Sequence, residues 1–161
     1  MKISRVLTQS KFVSISCGSR TSLGVTENGR VIGWGSAGRK VLGEDIEEET
    51  IATPRTVENL ENMTDIATRG SHAISLNKDG QLYTWGKGEQ DYHSETKVSR
   101  LRLPQVTITK IGAGRMHSVA VDSHGNLYTW GYSDEGKSWA WQIKYADTIE
   151  QVKQDSLTQI S

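Results

Sequence analysis

ITKIGAGRMHSVAVDSHGNLYTWG, residues 108–131, repeats two earlier stretches of the chain without a gap: FVSISCGSRTSLGVTENGRVIGWG at 12–35 and MTDIATRGSHAISLNKDGQLYTWG at 63–86. Trp34, Trp85 and Trp130 fall 51 and 45 residues apart, and Gly29, Gly80 and Gly125 keep the same intervals. A period of about 40–50 residues marks units that each form one supersecondary element and bury their faces against neighbours. The fold question is therefore what one copy builds and how copies stack.

Within a copy, two strand-like runs flank a short turn at Asn28-Gly29, Asp79-Gly80 or His124-Gly125. Asn-Gly and Asp-Gly predict a two-residue type I′ hairpin, with positive φ at both central positions. Leu23 and Val25, Ile74 and Leu76, and Val119 and Val121 precede the turns. The runs that follow, through Val31, Ile32 and Trp34 and their counterparts, are apolar on both faces, so each strand should be covered on both sides. A third run lies earlier in each copy, at 13–16, 64–67 and 109–112. A fourth is marked by Pro54 and Val57 or by Pro104 and Val106. Four short strands per unit is what a propeller blade needs. The predicted fold is all-β: a partial β-propeller of about three four-stranded antiparallel blades, not a closed ring by itself.

These copies resemble the repeats of the regulator of chromosome condensation family, which read I-x-x-I-x-C-G-x-x-H-S-x-A-L-x-x-D-G-x-V-Y-x-W-G. The third copy carries Ile108, Ile111, Gly114, His117, Ser118, Gly125, Tyr128, Trp130 and Gly131. The first carries Ile15, Cys17, Gly18, Ser22, Gly29, Trp34 and Gly35, with Thr21 in the histidine's place. The second carries Ile66, His72, Asp79, Gly80, Tyr83, Trp85 and Gly86, its glycine one place late at Gly70. The family's G-Q-L-G turn survives loosely at 38–43, is degraded to GKSW at 136–139 and is missing from the second copy. Neither the Gly-Gly doublet of kelch blades nor a Trp-Asp blade ending occurs. The resemblance implies a propeller and protein partners such as small GTPases or ubiquitin, trafficking or cytoskeletal assemblies. It also raises the founding member's activity, nucleotide exchange on a Ran-like GTPase.

The 161 residues amount to one domain's length, read as a single propeller segment over 1–161. Repeats run over about 12–62, 63–107 and 108–156, and a fourth begins at 157–161. Residues 1–11 read as the closing strand of an earlier repeat, and 149–161 resemble 3–16. Family members usually close a ring of seven, and three blades of usual shape leave two outer faces bare. Completion by further repeats or by other subunits is the expectation. An open stack capped by a partner is the remaining possibility.

Nineteen basic residues balance nineteen acidic ones, which removes the field that a nucleic-acid or membrane binder ordinarily uses. A single cysteine allows no intramolecular disulfide and fits a reducing compartment. The first residues lack a signal peptide's apolar run, and no stretch reaches membrane-spanning length. The expected location is cytoplasmic or nuclear.

Two features stand outside the repeat. An acidic run, Glu44, Asp45, Glu47, Glu48 and Glu49, reads as a solvated loop or as a contact for a basic partner surface. Trp139 and Trp141 alternate with small or polar residues, as in a strand facing a neighbouring blade or an interface anchor. Gly29, Trp34, His72, Gly80, Trp85, His117, Gly125 and Trp130 are assigned to the architecture. The two histidines recur at one repeat position, which points to bonding of neighbouring backbone rather than to catalysis or metal binding. Cys17 is expected to be buried. GWGSAG at 33–38 matches G-x-G-x-x-G but opens no helix, so dinucleotide binding is rejected. No catalytic residue, cofactor or metal is assigned. The leading function is a non-catalytic protein-binding module; the alternatives are exchange on a Ran-like GTPase and a structural subunit.

Overall fold

A computed structural model describes residues 11–43, 46, 48–69, 72–86, 97–101, 103, 105–115, 117–131 and 150–151. They form twelve strands in three four-stranded antiparallel sheets, with no helix among the described residues. The first sheet contains β1 (Phe12–Cys17), β2 (Thr21–Thr26), β3 (Val31–Ser36) and β4 (Thr50–Thr56), paired in chain order. The second contains β5 (Met63–Arg69), β6 (His72–Asn77), β7 (Leu82–Trp85) and β8 (Ser99–Leu101). The third contains β9 (Ile108–Ala113), β10 (His117–Asp122), β11 (Leu127–Gly131) and β12 (Glu150–Gln151). These are three blades of a propeller that does not close on itself. In the second blade the fourth strand lies at 99–101, upstream of the expected marker Val106. Val106 packs instead on the side of the core between the second and third blades.

Because side chains alternate along a strand, each blade has two faces. We name the one turned toward the preceding blade leading and the other trailing. Leu23, Val25 and Val31 on the first blade's trailing face pack with Met63, Ile66, Ala73 and Trp85 on the second blade's leading face. Ile74, Leu76 and Leu82 on the second blade's trailing face then meet Ile108, Ala120, Tyr128 and Trp130 of the third. Each such aliphatic side chain, once fully removed from water, contributes roughly 1.5–3 kcal/mol. The core of this chain is thus two seams between sheets rather than one central cluster. All six residues of β6 are buried because that strand lies between both.

The hairpins differ from the type I′ turns expected. Gly29, Gly80 and Gly125 have φ of 74°, 73° and 85°, while the residues before them keep negative φ. Each glycine N–H donates to the carbonyl three residues back, on Thr26, Asn77 or Asp122, at 2.8, 3.0 and 3.1 Å. The result is a type I turn closed by a left-handed glycine, the three-residue hairpin. The preference for it is set by the residue three before the glycine. Asn77 Oδ1 accepts from the Asp79 and Gln81 N–H groups, and Asp122 Oδ1 accepts from those of His124 and Asn126. Thr26 Oγ1 accepts from the Arg30 N–H. Such side-chain caps make the type I geometry self-satisfying.

The turns also join the blades. The Gly29 carbonyl accepts from the Met63 N–H at 3.0 Å, and the Gly80 carbonyl from the Ile108 N–H at 3.1 Å. These two hairpins therefore anchor the first strand of the following blade, on what we call the hairpin side of the disc. The opposite side carries the β1–β2 turn and the long β3–β4 connection.

Candidate partner-binding face

The connection from β3 to β4 leaves the disc on the side opposite the hairpins, and the blade holds it at both ends. Ser36 N–H donates to the Arg20 carbonyl at 2.8 Å, and Ala37 N–H to the Glu49 carbonyl at 2.9 Å. Val41 and Leu42, from the loosely preserved glycine-rich turn, are 1% and 2% exposed and plug the first seam. Lys40 Nζ donates to the Ile46 carbonyl at 2.9 Å. The described residues of the connection are thus tied to the blade as an outgrowth of it.

On that outgrowth Glu48 and Glu49 are exposed. Glu48 pairs with Arg55 of β4 at 2.9 Å, each side chain half exposed. Its carboxyl lies below the ordinary glutamate value, first through its own backbone N–H and then through the Arg55 hydrogen bond. Sequence reading had not foreseen that pair. An exposed pair is worth little in stability, but it orients the Glu48 carboxylate. Glu44, Asp45, Glu47, Trp139 and Trp141 lie outside the described residues. Beside the outgrowth is a cleft of about 250 Å³ lined in part by Leu42, Ile46, Glu58, Lys97 and Val98. Among the described residues, no group of three His, Cys, Asp or Glu side chains is placed to hold a metal, and no helix is long and apolar enough to cross a membrane.

The architectural residues divide more sharply than the repeat implied. Trp85 and Trp130 are 1% and 2% exposed, each in the seam ahead of its blade. Trp34 is only partly buried, its ring tilted against Phe12 at a centroid distance of 6.3 Å. Its leading face has no described blade in front of it, so no seam covers it. Cys17, expected to be buried, is exposed for the same reason; the equivalent Thr68 is 4% exposed within the first seam. Likewise β7 is covered on both sides, whereas Leu127 on β11 is 40% exposed.

His72 is 1% exposed, and its Nε2 lies 2.9 Å from the Ser118 hydroxyl on the next blade. That contact reaches a side chain across the seam. His117, at the equivalent place, is exposed, its ring over Gly114. A partner the sequence did not reveal is the Val41 carbonyl, which accepts from Trp85 Nε1 at 2.7 Å. Asp122 was also missed. It is 4% exposed, and it takes further bonds on Oδ2 from Asn126 Nδ2 at 2.8 Å and the Tyr128 hydroxyl at 3.0 Å. Burial pushes its carboxyl up, but the bonds from Asn126, Tyr128 and His124 outweigh that and bring it down to about 2. Burial, and then the facing Asp122, raise the Tyr128 hydroxyl. The run Thr26, Asn77, Asp122 at one repeat position, all turn-capping residue types, was the signal available in the sequence.

The family model of the regulator of chromosome condensation (RCC1) repeat matches residues 12–39 and 108–137. The chain is a repeat protein of the regulator of chromosome condensation type. It is 31% identical over 86 residues to human E3 ubiquitin-protein ligase HERC2, covering 52% of this chain and 2% of that protein. It is 30% identical over 103 residues to the Caenorhabditis elegans X-linked retinitis pigmentosa GTPase regulator homolog, covering 62% of this chain and 7% of the other. Among solved structures it is similar to Prp20p from Saccharomyces cerevisiae, described with its binding to Gsp1p and histones. That similarity has a TM-score of 0.68 and 30% identity, over 80% of this chain and 32% of that one. The chain therefore spans a small part of the relatives it matches. The described residues make up the first, second and third blades.

Proposed function

We propose that this chain is a non-catalytic protein-binding module that uses the disc side opposite the hairpins. The reading is carried by one observation: the 37–49 connection is anchored at its ends and plugged into the first seam while Glu48 and Glu49 remain exposed. Recognition concentrates on loops that a rigid scaffold positions, and a pre-ordered loop loses less entropy on binding. The partner this favours is a protein with a basic patch, a small GTPase being the first candidate. The similarity to a GTPase regulator homolog and to a structure described with Gsp1p binding supports that class. The chain's balanced charge argues against nucleic acid as the ligand. The site of action we assign is cytoplasmic or nuclear.

The test is capture of purified small GTPases by the full chain and by a Glu48→Lys, Glu49→Lys variant. Weakened capture by the variant is expected, and equal capture would discard the acidic contact. A second reading, nucleotide exchange on a Ran-like GTPase, is favoured by the same outgrowth, the longest connection among the described residues whose ends the blade holds. Exchange requires tighter binding to the nucleotide-free state than to the loaded one. It predicts faster release of labelled GDP across a GTPase panel that includes Ran; no acceleration would leave binding alone.

A further inference from the structure

The two outer faces are the places where this chain departs from its own repeat. On the first blade's leading face Ile15 is 75% exposed, whereas Ile66, its equivalent on the second blade, is 4% exposed in the first seam. On the third blade's trailing face Leu127 is 40% exposed, whereas Leu82 is 1% exposed in the second seam. The outer faces carry the residue types that are buried internally: Trp34 where the seams hold Trp85 and Trp130, and Val119 and Val121 where they hold Ile74 and Leu76. Single exposed apolar residues are ordinary, but contiguous patches of this make mark association surfaces.

A polar pair says what the two faces meet. In the second seam His72 on a trailing face bonds Ser118 on a leading face at 2.9 Å. In the first seam the same two positions hold Thr21 and Ala73, which cannot form that bond. The outer faces restore the combination, with His117 on the trailing side and Ser22 on the leading side. His117 is exposed and Ser22 half-buried. A trailing face with histidine and a leading face with serine are thus both present on one chain, without a mate among the described residues. A formal charge of zero places no long-range repulsion between copies.

We propose that a second copy of this chain seats the leading face of its first blade on the trailing face of the third blade. His117 of one copy then bonds Ser22 of the other, as His72 bonds Ser118. The contact is head-to-tail, so it makes a closed ring or an open stack according to the rotation between copies. It uses the blade faces and leaves the loop-bearing side of the disc free, so it is independent of the partner proposed above.

Light scattering of the full chain across nanomolar to high micromolar concentration tests this. The expected mass is twice or more the 17.8 kDa of one chain at the upper end. Ile15→Glu and Leu127→Glu replace exposed side chains, and retained strand signal by circular dichroism checks that both variants fold. Each is expected to weaken association at least tenfold, roughly the loss of one interface hot spot. An equimolar mixture of the two variants regains association, because each retains the face that the other has lost. Ser22→Ala and His117→Ala each weaken association, and the double variant is no weaker than either single one. A monomer at every concentration overturns the proposal. Association that ignores both glutamate variants, or a mixture that regains nothing, does so equally.

Discussion

Trp85 and Trp130 stand at one repeat position, each sealed in the seam ahead of its blade, yet their indole nitrogens meet different surroundings. Trp85 Nε1 donates to the Val41 carbonyl at 2.7 Å. Trp130 Nε1 is buried with no acceptor among the described residues. The acceptor comes from the 38–43 turn, which plugs the first seam and which the second copy lacks in sequence. Among the described residues, the seams therefore share their apolar packing but not this bond. A buried N–H without a partner costs about 1–3 kcal/mol relative to one that is bonded. The lesson is that the strand repeat preserves the hydrophobic seam, while the connecting segment decides whether its polar atoms are satisfied.

That contrast can be broken most directly by emptying the better-closed seam. Trp85→Ala should cost about 3–5 kcal/mol in denaturant unfolding, as for a large aromatic removed from a packed interior. A cost near zero would mean that the first seam is not packed as described. A finer comparison sets Trp85→Phe against Trp130→Phe. The first leaves the Val41 carbonyl unpaired and should lose about 1–3 kcal/mol more than the second. The second removes a donor that has no acceptor among the described residues, so equal losses would show that Trp130 is also bonded.

Smaller effects separate covered faces from open ones. Trp34→Ala should cost only about 0.5–1.5 kcal/mol at concentrations where the chain is monomeric, the scale of its one aromatic contact with Phe12. A loss as large as that of Trp85→Ala would place a cover over the first blade. The effect that is lost in acid belongs to the third hairpin. Asp122 titrates lower in the folded chain than in the unfolded one, at about 2 against an ordinary 3.8. Its contribution is therefore complete above the ordinary value and is lost as pH falls from there through about 2. Asp122→Asn should flatten that part of an unfolding curve measured against pH and leave the neutral arm parallel to the parent. An unchanged acid slope would remove Asp122 from the account.

Much of this architecture was legible because its causes are local. Alternation of apolar residues over four to six positions placed β1 to β3 and their counterparts, and the glycines marked every hairpin. Turn type was misjudged because the residue before each glycine drew attention, whereas the cap three places earlier sets the geometry. The strand at 99–101 escaped because a three-residue run carries almost no pattern. Of the proposed partner-contact residues, Glu48 and Glu49 could be placed on the outgrowth; the ion pair of Glu48 and the anchoring at Glu49 depend on Arg55 and Ala37, which no local motif links to them.

By itself, the sequence determined the repeat, the all-β blades, the seam tryptophans and the family. Each is written in residues close together along the chain, or in one residue recurring at a fixed interval. Only the tertiary structure decided which of those equivalent residues are covered. Ile15 and Ile66, Trp34 and Trp85, His117 and His72 are the same or nearly the same in local sequence. They differ because burial depends on whether another sheet, some 50 residues away in sequence, lies against that face.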